Sequence, residues 1–516
     1  MRDHLQEGAG SISAASGRGL RILGIGALAF ALAAPLAAPA RIPDAEPIPS
    51  RIIVRFVEGV SIAEQDDVLA AHGADAIRRV PELDLVVADV SVDPSRAILS
   101  LFADPTVRSA DLDRTRAATG SFGPRSDDAN WALRRVGAAP VDPRGFSTLA
   151  ILDTGVDLGD ENLTGQVMQG WSALGTDPLT DPNGHGTALA QIAAGSASDA
   201  DPASGVASRG VLVLPVQVLD AAGVGRDSDI VRGIVHAVDR GADVILMGFA
   251  GPGYSNALQS AMDYAWTHGV VLVAPVGDGG SVAPMFPAGS ARVVGVGATT
   301  GFDARAAMSN RGSSVFVAAP GLEVPVGDRG TFSGTAAAAA IVAGGAGLLA
   351  AADRTASNAV VVGRLARGAE AVAPRADVGN GRIDLAASLT DRSRVGLVPN
   401  GVLNAAGGPY VTTYAASSAP LAGWARDRAE LFGDPVAPLA LDGTATPVMV
   451  ASSSAPAPAM TLWAWTLTAD PLTAGAVLRQ HSFSVGVTLD DPLASDHGTF
   501  TYGSVSPPAL AYGVLS

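Results

Sequence analysis

Two residues of this 516-residue chain have the type and setting to move a proton. Asp153 closes the short apolar run Thr148-Leu-Ala-Ile-Leu-Asp153 and is followed by Thr154 and Gly155. An acid at a strand end is held rigidly and can accept a hydrogen bond from imidazole. That bond fixes the tautomer and stabilises the imidazolium that forms once the base takes a proton. His185 stands in Asn183-Gly-His185-Gly-Thr187, where the flanking glycines let the chain approach closely. Alone, each has a plainer reading, Asp153 as a helix-capping acid and His185 as a loop histidine. Together they are an acid–base pair in need of a nucleophile. The stretch Gly330-Thr-Phe-Ser-Gly334-Thr-Ala336 runs from a loop into a helix. No residue from Ala336 to Ala352 is charged, so this helix is apolar on every side and belongs in a core.

The elements that would position these residues alternate. The pattern predicts a strand over Val211–Leu219 and a helix over Ser228–Arg240, with Ile230, Ile234, Val235 and Val238 on one face. A strand over Asp243–Phe249, a helix over Asn256–His268 and a strand over Val270–Pro275 follow. Such alternation means a parallel sheet covered by helices, an α/β domain. Ahead of it lies a smaller β-α-β-α-β unit. Its first strand, Arg51–Val57, puts Ile52, Val54 and Phe56 on one side. Ser61 begins a helix with Glu64 three residues on, a capping-box pattern, and the helix ends near Gly73. A strand over Leu83–Val92, a helix over Pro94–Phe102 and a strand over Val107–Leu112 complete the unit. Residues 113–130 are polar and rich in Gly, Ser and Asp, and read as an exposed linker. After about Ser393 helical periodicity disappears. Thr461–Thr468, Phe483–Leu489 and Thr499–Tyr502 read as strands of a small β domain, a sandwich in outline. Asp490, Asp491 and Asp496 there fit a solvated acidic turn better than a calcium site; no cofactor is expected and calcium is left unplaced.

The formal net charge of −16 argues against nucleic acid or an anionic membrane as a partner. The absence of cysteine excludes disulfides, thiol chemistry and zinc–thiolate sites. Arg18 and Arg21 precede the apolar run Ile22–Ala37, and Ala38-Pro-Ala40 follows as a small-x-small cleavage pattern. Residues 1–40 therefore read as a secretory signal, with an uncleaved membrane anchor as the alternative.

In combination these motifs resemble those of the subtilisin-like serine proteases, the subtilase family. Leu152-Asp153-Thr-Gly-Val156 is similar to the acid motif and Asn183-Gly-His185-Gly-Thr187 to the base motif. Leu214-Pro-Val-Gln-Val-Leu-Asp220 and Gly241-Ala-Asp-Val-Ile245 are similar to the strands between. Met308-Ser-Asn310, Val317-Ala-Ala-Pro-Gly321 and the 330–344 run are similar to the approach to the nucleophile. The resemblance implies a signal at 1–40, an inhibitor-type propeptide at 41–118, a linker at 119–130, a peptidase domain at 131–390 and a β-rich domain at 391–516.

It also implies a catalytic triad of Asp153, His185 and a serine, but the nucleophile position holds Ala336. Ser333 lies in the loop ahead of the helix and is no substitute. The oxyanion position, usually asparagine, is Asp278. Ala340 and Ile341 replace the usual proline and histidine, and the usual serine of the substrate strand is Gly248. Several departures around one site favour a naturally inactive, exported homologue that still binds extended peptide at Gly248, Phe249, Ala250 and Gly277. The expected partners are a polypeptide segment and the chain's own propeptide, in a secreted or cell-envelope setting. The alternatives are a working endopeptidase represented by a serine-to-alanine variant, and an exported structural protein without activity.

Overall fold

The computed structural model describes residues 47–138, 143, 145–197, 204–399 and 401, and the backbone of five later strand segments between 413 and 501. The expected signal at 1–40 lies outside the described residues.

The N-terminal unit is an antiparallel sheet carrying two helices. Its strands are β1 (Pro47–Phe56), β2 (Ala74–Val80), β3 (Leu85–Val90) and β4 (Val107–Ala118), in the order β4-β1-β3-β2. Helix α1 (Ile62–Ala71) is capped as expected, with Ser61 Oγ accepting the Glu64 N–H. Helix α2 (Pro94–Leu101) is capped by Asp93, with Pro94 in its first turn. The period-2 alternation of β1 serves two cores. Ile52, Val54 and Phe56 join Leu69, Ala97 and Leu101 beneath the helices. Ile53 faces the other way, into the same buried cluster as Ile230, Ile234 and Leu258 of the large domain. The sequence pattern missed β2, which pairs with β3 as a hairpin.

The large domain is built on a seven-stranded sheet, all of whose neighbours run parallel. Its strands are β6 (Ser147–Asp153), β7 (Trp171–Ser172), β8 (Val211–Gln217), β10 (Val244–Met247), β12 (Val271–Pro275), β13 (Val293–Thr299) and β14 (Val317–Pro320). The order is β14-β13-β12-β10-β6-β8-β7. Helices α5 (Asp227–Asp239) and α6 (Asn256–Thr267) cover one face, together with the N-terminal unit. Helices α4 (His185–Ala194) and α7 (Thr335–Ala352) pack with the other. A short α3 (Trp131–Arg135) precedes the sheet. By length and composition α7 could cross a membrane, yet all but its last residue are buried in protein. The chain starts in the middle of the sheet at β6, runs first to the edge strand β7, fills β8 between them, and then crosses to β10 on the other side. The carboxyl ends of β6 and β10 therefore flank the point where the strand order reverses, where open α/β sheets form their crevices.

Much of 121–130 is exposed as expected of a linker, but residues 113–119 are not. Asp113 and Arg116 are buried in the second half of β4, and Thr119 is buried just beyond it. Two short strands of the large domain, β9 (Val224–Arg226) and β11 (Phe249–Ala250), pair antiparallel with this extension. Beyond it, β5 (Ser121–Gly123) pairs with β16 (Thr331–Ser333), whose other neighbour is β15 (Val324–Pro325). Polar composition reads as a linker only if the polar groups face water; here they pair with the large domain. In the C-terminal region the described strands Ala445–Ser452, Met460–Leu467, Phe483–Leu489 and Phe500–Thr501 form one antiparallel sheet. Asp490, Asp491 and Asp496 lie outside the described residues.

Candidate active site

Asp153 is the last residue of β6 and fully buried; His185 is the first residue of α4. The structure brings them together, with His185 Nδ1 2.7 Å from Asp153 Oδ1. The Thr154 N–H also donates to Asp153 Oδ1, at 2.8 Å. Asp181, which sequence reasoning did not single out, locks this arrangement. Its carboxylate accepts from the Gly184 N–H, from the Thr187 N–H and hydroxyl, and from the Thr154 hydroxyl, all within 2.9 Å. One acid thus ties the turn carrying His185 to the strand carrying Asp153.

The second ring nitrogen is occupied as well. His185 Nε2 lies 3.0 Å from the carbonyl oxygen of Thr119. A carboxylate and a carbonyl can only accept, so the two contacts together favour a ring that donates from both nitrogens. Burial alone would lower the His185 pKa; the Asp153 charge and hydrogen bond, with the Thr119 carbonyl, outweigh it and leave the pKa raised. Phe332 covers the ring edge-on at 5.2 Å and is itself met by Phe122 at 5.1 Å. Between Thr119 and Phe122 the chain turns at Gly120, with φ +116°. A Cβ there would come within 2.6 Å of two Phe332 ring atoms, so only glycine passes.

Ala336 is the second residue of α7, with no exposed surface and no polar side-chain atom. The hydroxyls nearest it in the chain, those of Ser333 and Thr335, already have partners. Ser333 Oγ accepts the Glu323 N–H, and Thr335 Oγ1 accepts the Gly277 N–H at 3.1 Å. Gly277, expected against peptide, therefore uses its N–H inside the domain. Asp278 Oδ1 accepts the Thr335 N–H at 2.8 Å and so caps α7. Burial raises the Asp278 pKa above the usual carboxylate range, against the hydrogen bonds from Thr335 and the nearby His185. Gly334 separates Asp278 Oδ2 from Gly120, since a Cβ on it would meet both.

Gly248, Phe249 and Ala250 do meet an extended segment, and it is the chain's own. Phe249 and Ala250 pair with Ala118 and Ala117, and the Thr119 N–H points to the Gly248 carbonyl at 3.4 Å. Gly248 has a second effect: a Cβ on it would collide with Asp153 Oδ2. The segment is anchored upstream by two acids of β4. Asp113 accepts from the Ser228 N–H and hydroxyl in the first turn of α5, and Asp111 from the Asn256 and Ala257 N–H groups in the first turn of α6. Both carboxyls sit where a helix N-terminus favours negative charge. Nothing in the sequence marks Thr119, Gly120, Asp111 or Asp113 for these places, because each partner lies far along the chain.

Comparison with known proteins gives three kinds of match. The profile described as Subtilase family matches residues 147–392, and that described as Fervidolysin N-terminal prodomain matches residues 33–113. Thermitase of Thermoactinomyces vulgaris is 39% identical over 215 residues, which span 41% of this chain and 77% of thermitase. A thermophilic serine proteinase of Bacillus sp. (strain AK1) is 32% identical over 329 residues, 60% of this chain and 79% of the relative. Among solved structures, fervidolysin from Fervidobacterium pennivorans superposes with a TM-score of 0.59 at 22% identity, over 69% of this chain and 65% of that one. A serine-to-alanine mutant of the epidermin leader peptide processing serine protease from Staphylococcus aureus gives 0.55 at 17% identity, over 66% and 99%.

Proposed function

The chain belongs to the subtilase family, with a subtilisin-like domain behind an N-terminal prodomain, and from that premise we propose that it is an exported pseudoprotease whose peptide cleft is filled by its own uncut propeptide tail. The observation that carries this reading is the pairing of His185 Nε2 with the Thr119 carbonyl, together with Ala336 in the first turn of α7. Attack on the Thr119–Gly120 bond needs an oxygen on residue 336 and a lone pair on His185 to take its proton. Ala336 brings no oxygen, and the Thr119 carbonyl occupies the His185 nitrogen that would take the proton. Asp153 orients the ring but has no reaction to serve. The strands Phe249–Ala250 and Val224–Arg226 still hold an extended chain between them, a mode of peptide recognition through backbone hydrogen bonds with side-chain pockets beside it.

Two measurements test the reading. The purified chain should hydrolyse no peptide and take no label from a serine-directed phosphonate; stoichiometric labelling within residues 131–390 would overturn it. Secreted from a host without other extracellular proteases, the chain should begin near Arg41 and keep residues 51–112 attached. A start at Gly120 that is abolished by His185→Ala would show self-cleavage.

A further inference from the structure

Arg116 is the largest side chain that the structure buries completely. It leaves β4 three residues before Thr119 and enters a pocket of the large domain. All five N–H donors of a guanidinium fork are engaged there. Nε and Nη2 hold Asp227 Oδ1 and Oδ2 at 2.7 and 2.8 Å, a bidentate pair. Nη1 donates to the carbonyls of Gly251 and Pro252 at 3.0 and 2.9 Å, and Nη2 also to that of Gly253 at 3.0 Å. Asp227, in the first turn of α5, has no exposed surface. A second guanidinium, that of Arg114, lies against Gly253 and interacts with the Asp227 charge without taking the fork.

A buried carboxylate aimed into a pocket with three backbone carbonyls is a receptor for one planar cation. Without that cation Asp227 would be a buried, unpaired charge, among the costlier arrangements a protein can hold. Lysine would bring the charge on a point-like ammonium with three donors, too few and wrongly placed for the fork. Removing arginine from such a pair weakens an interface on the order of 10²–10³-fold.

We propose that the pocket of Asp227 and the Gly251–Gly253 carbonyls is an arginine-reading subsite, so that polypeptides entering this cleft in trans are extended segments with arginine three residues before a small residue at His185. The proposal rests on the peptide-binding reading above and names its ligand class. The tail segment Thr115-Arg-Ala-Ala-Thr119 is then the resident copy of that ligand.

The test uses the full-length chain carrying Arg116→Ala, with folding checked by circular dichroism. Limited proteolysis within residues 113–119 reports whether the tail has left the cleft. Fluorescent peptides Thr-Arg-Ala-Ala-Thr-Gly, with lysine or alanine in place of arginine as controls, report binding. The tail should become protease-sensitive, and the arginine peptide should bind at least about 100-fold more tightly than the alanine peptide. Adding Asp227→Asn should bring the two peptides within a fewfold. A released tail with equal binding of all three peptides would overturn the subsite and leave the peptide cleft standing. A released tail with no binding of any peptide would overturn the cleft reading and the subsite with it. A tail as protected as in the parent would show that Arg116 does not hold it, and would overturn the subsite. Should Arg116→Ala not fold, Arg116→Lys keeps the charge without the fork and carries the same arms.

Discussion

Ala336→Ser is the most direct perturbation of this site, and the structure sets how far it should go. In active subtilisin, loss of the serine costs roughly a millionfold in turnover, so its return could supply about that much. Two features oppose it here. His185 Nε2 donates to the Thr119 carbonyl, so a serine hydroxyl must first win the ring from that oxygen. In the proposed reading Asp278 takes the place of the amide donor to the oxyanion, and its Oδ1 is already committed to the Thr335 N–H. A missing donor of that kind costs about 10²–10³. Ala336→Ser alone should therefore cut the Thr119–Gly120 bond about 10³–10⁴ times faster than the parent. Ala336→Ser with Asp278→Asn should add about 10²–10³. Asparagine keeps the carbonyl that caps α7 and turns an N–H toward Gly334 and Gly120. The raised Asp278 pKa adds a pH signature. Protonated, the carboxyl can donate; ionised, it repels the oxyanion. The single variant should therefore lose rate as pH rises through the Asp278 pKa, and the double variant should not lose it there. The assay is a time course of intact mass and N-terminal sequence, scored as chains starting at Gly120. A single variant as fast as the double at every pH would refute the role given to Asp278.

Three further outcomes follow from the same contacts. Burial raises the Asp113 pKa to about 6, against its bonds from Ser228 and with the Asp227 charge acting in the same direction as burial. Its value in the unfolded chain is about 3.9. The folded state therefore favours the protonated acid, and this contribution, roughly 3 kcal/mol, is full below about pH 4 and lost as pH rises through about 6; the loss should be smaller in Asp113→Asn by denaturant titration at pH 4 and pH 7.5. For His185 the raised pKa stabilises the docked tail below about pH 6.5, the ordinary value, and that gain is lost as pH rises through the folded-state pKa. Proteolysis within residues 113–119 should accelerate across that range in the parent, and a pH-independent rate would contradict it. Gly248→Ser should push Asp153 from its place and lower the His185 pKa in an NMR titration, whereas an unchanged pKa would show that the site relaxes around the new side chain.

Much of the scaffold was legible locally. The capped start of α1, the amphipathic face of α5 and the uncharged run of α7 are patterns within one turn or a few turns of chain, and each formed where it was read. So were the acid at the end of β6 and the histidine at the start of α4, because their settings are short motifs with glycines in fixed places. The sequence also determined that residue 336 carries no oxygen, whatever the fold does around it. What it did not disclose was the state of the base or the residues that hold the tail. The polar stretch 113–119 looked solvated because its partners are remote: Arg116 meets Asp227 across 111 residues, and Thr119 meets His185 across 66. A polar residue is read as exposed until a second residue, far along the chain, satisfies it. Only the tertiary structure supplies that second residue, and here it turns an expected linker into the occupant of the cleft.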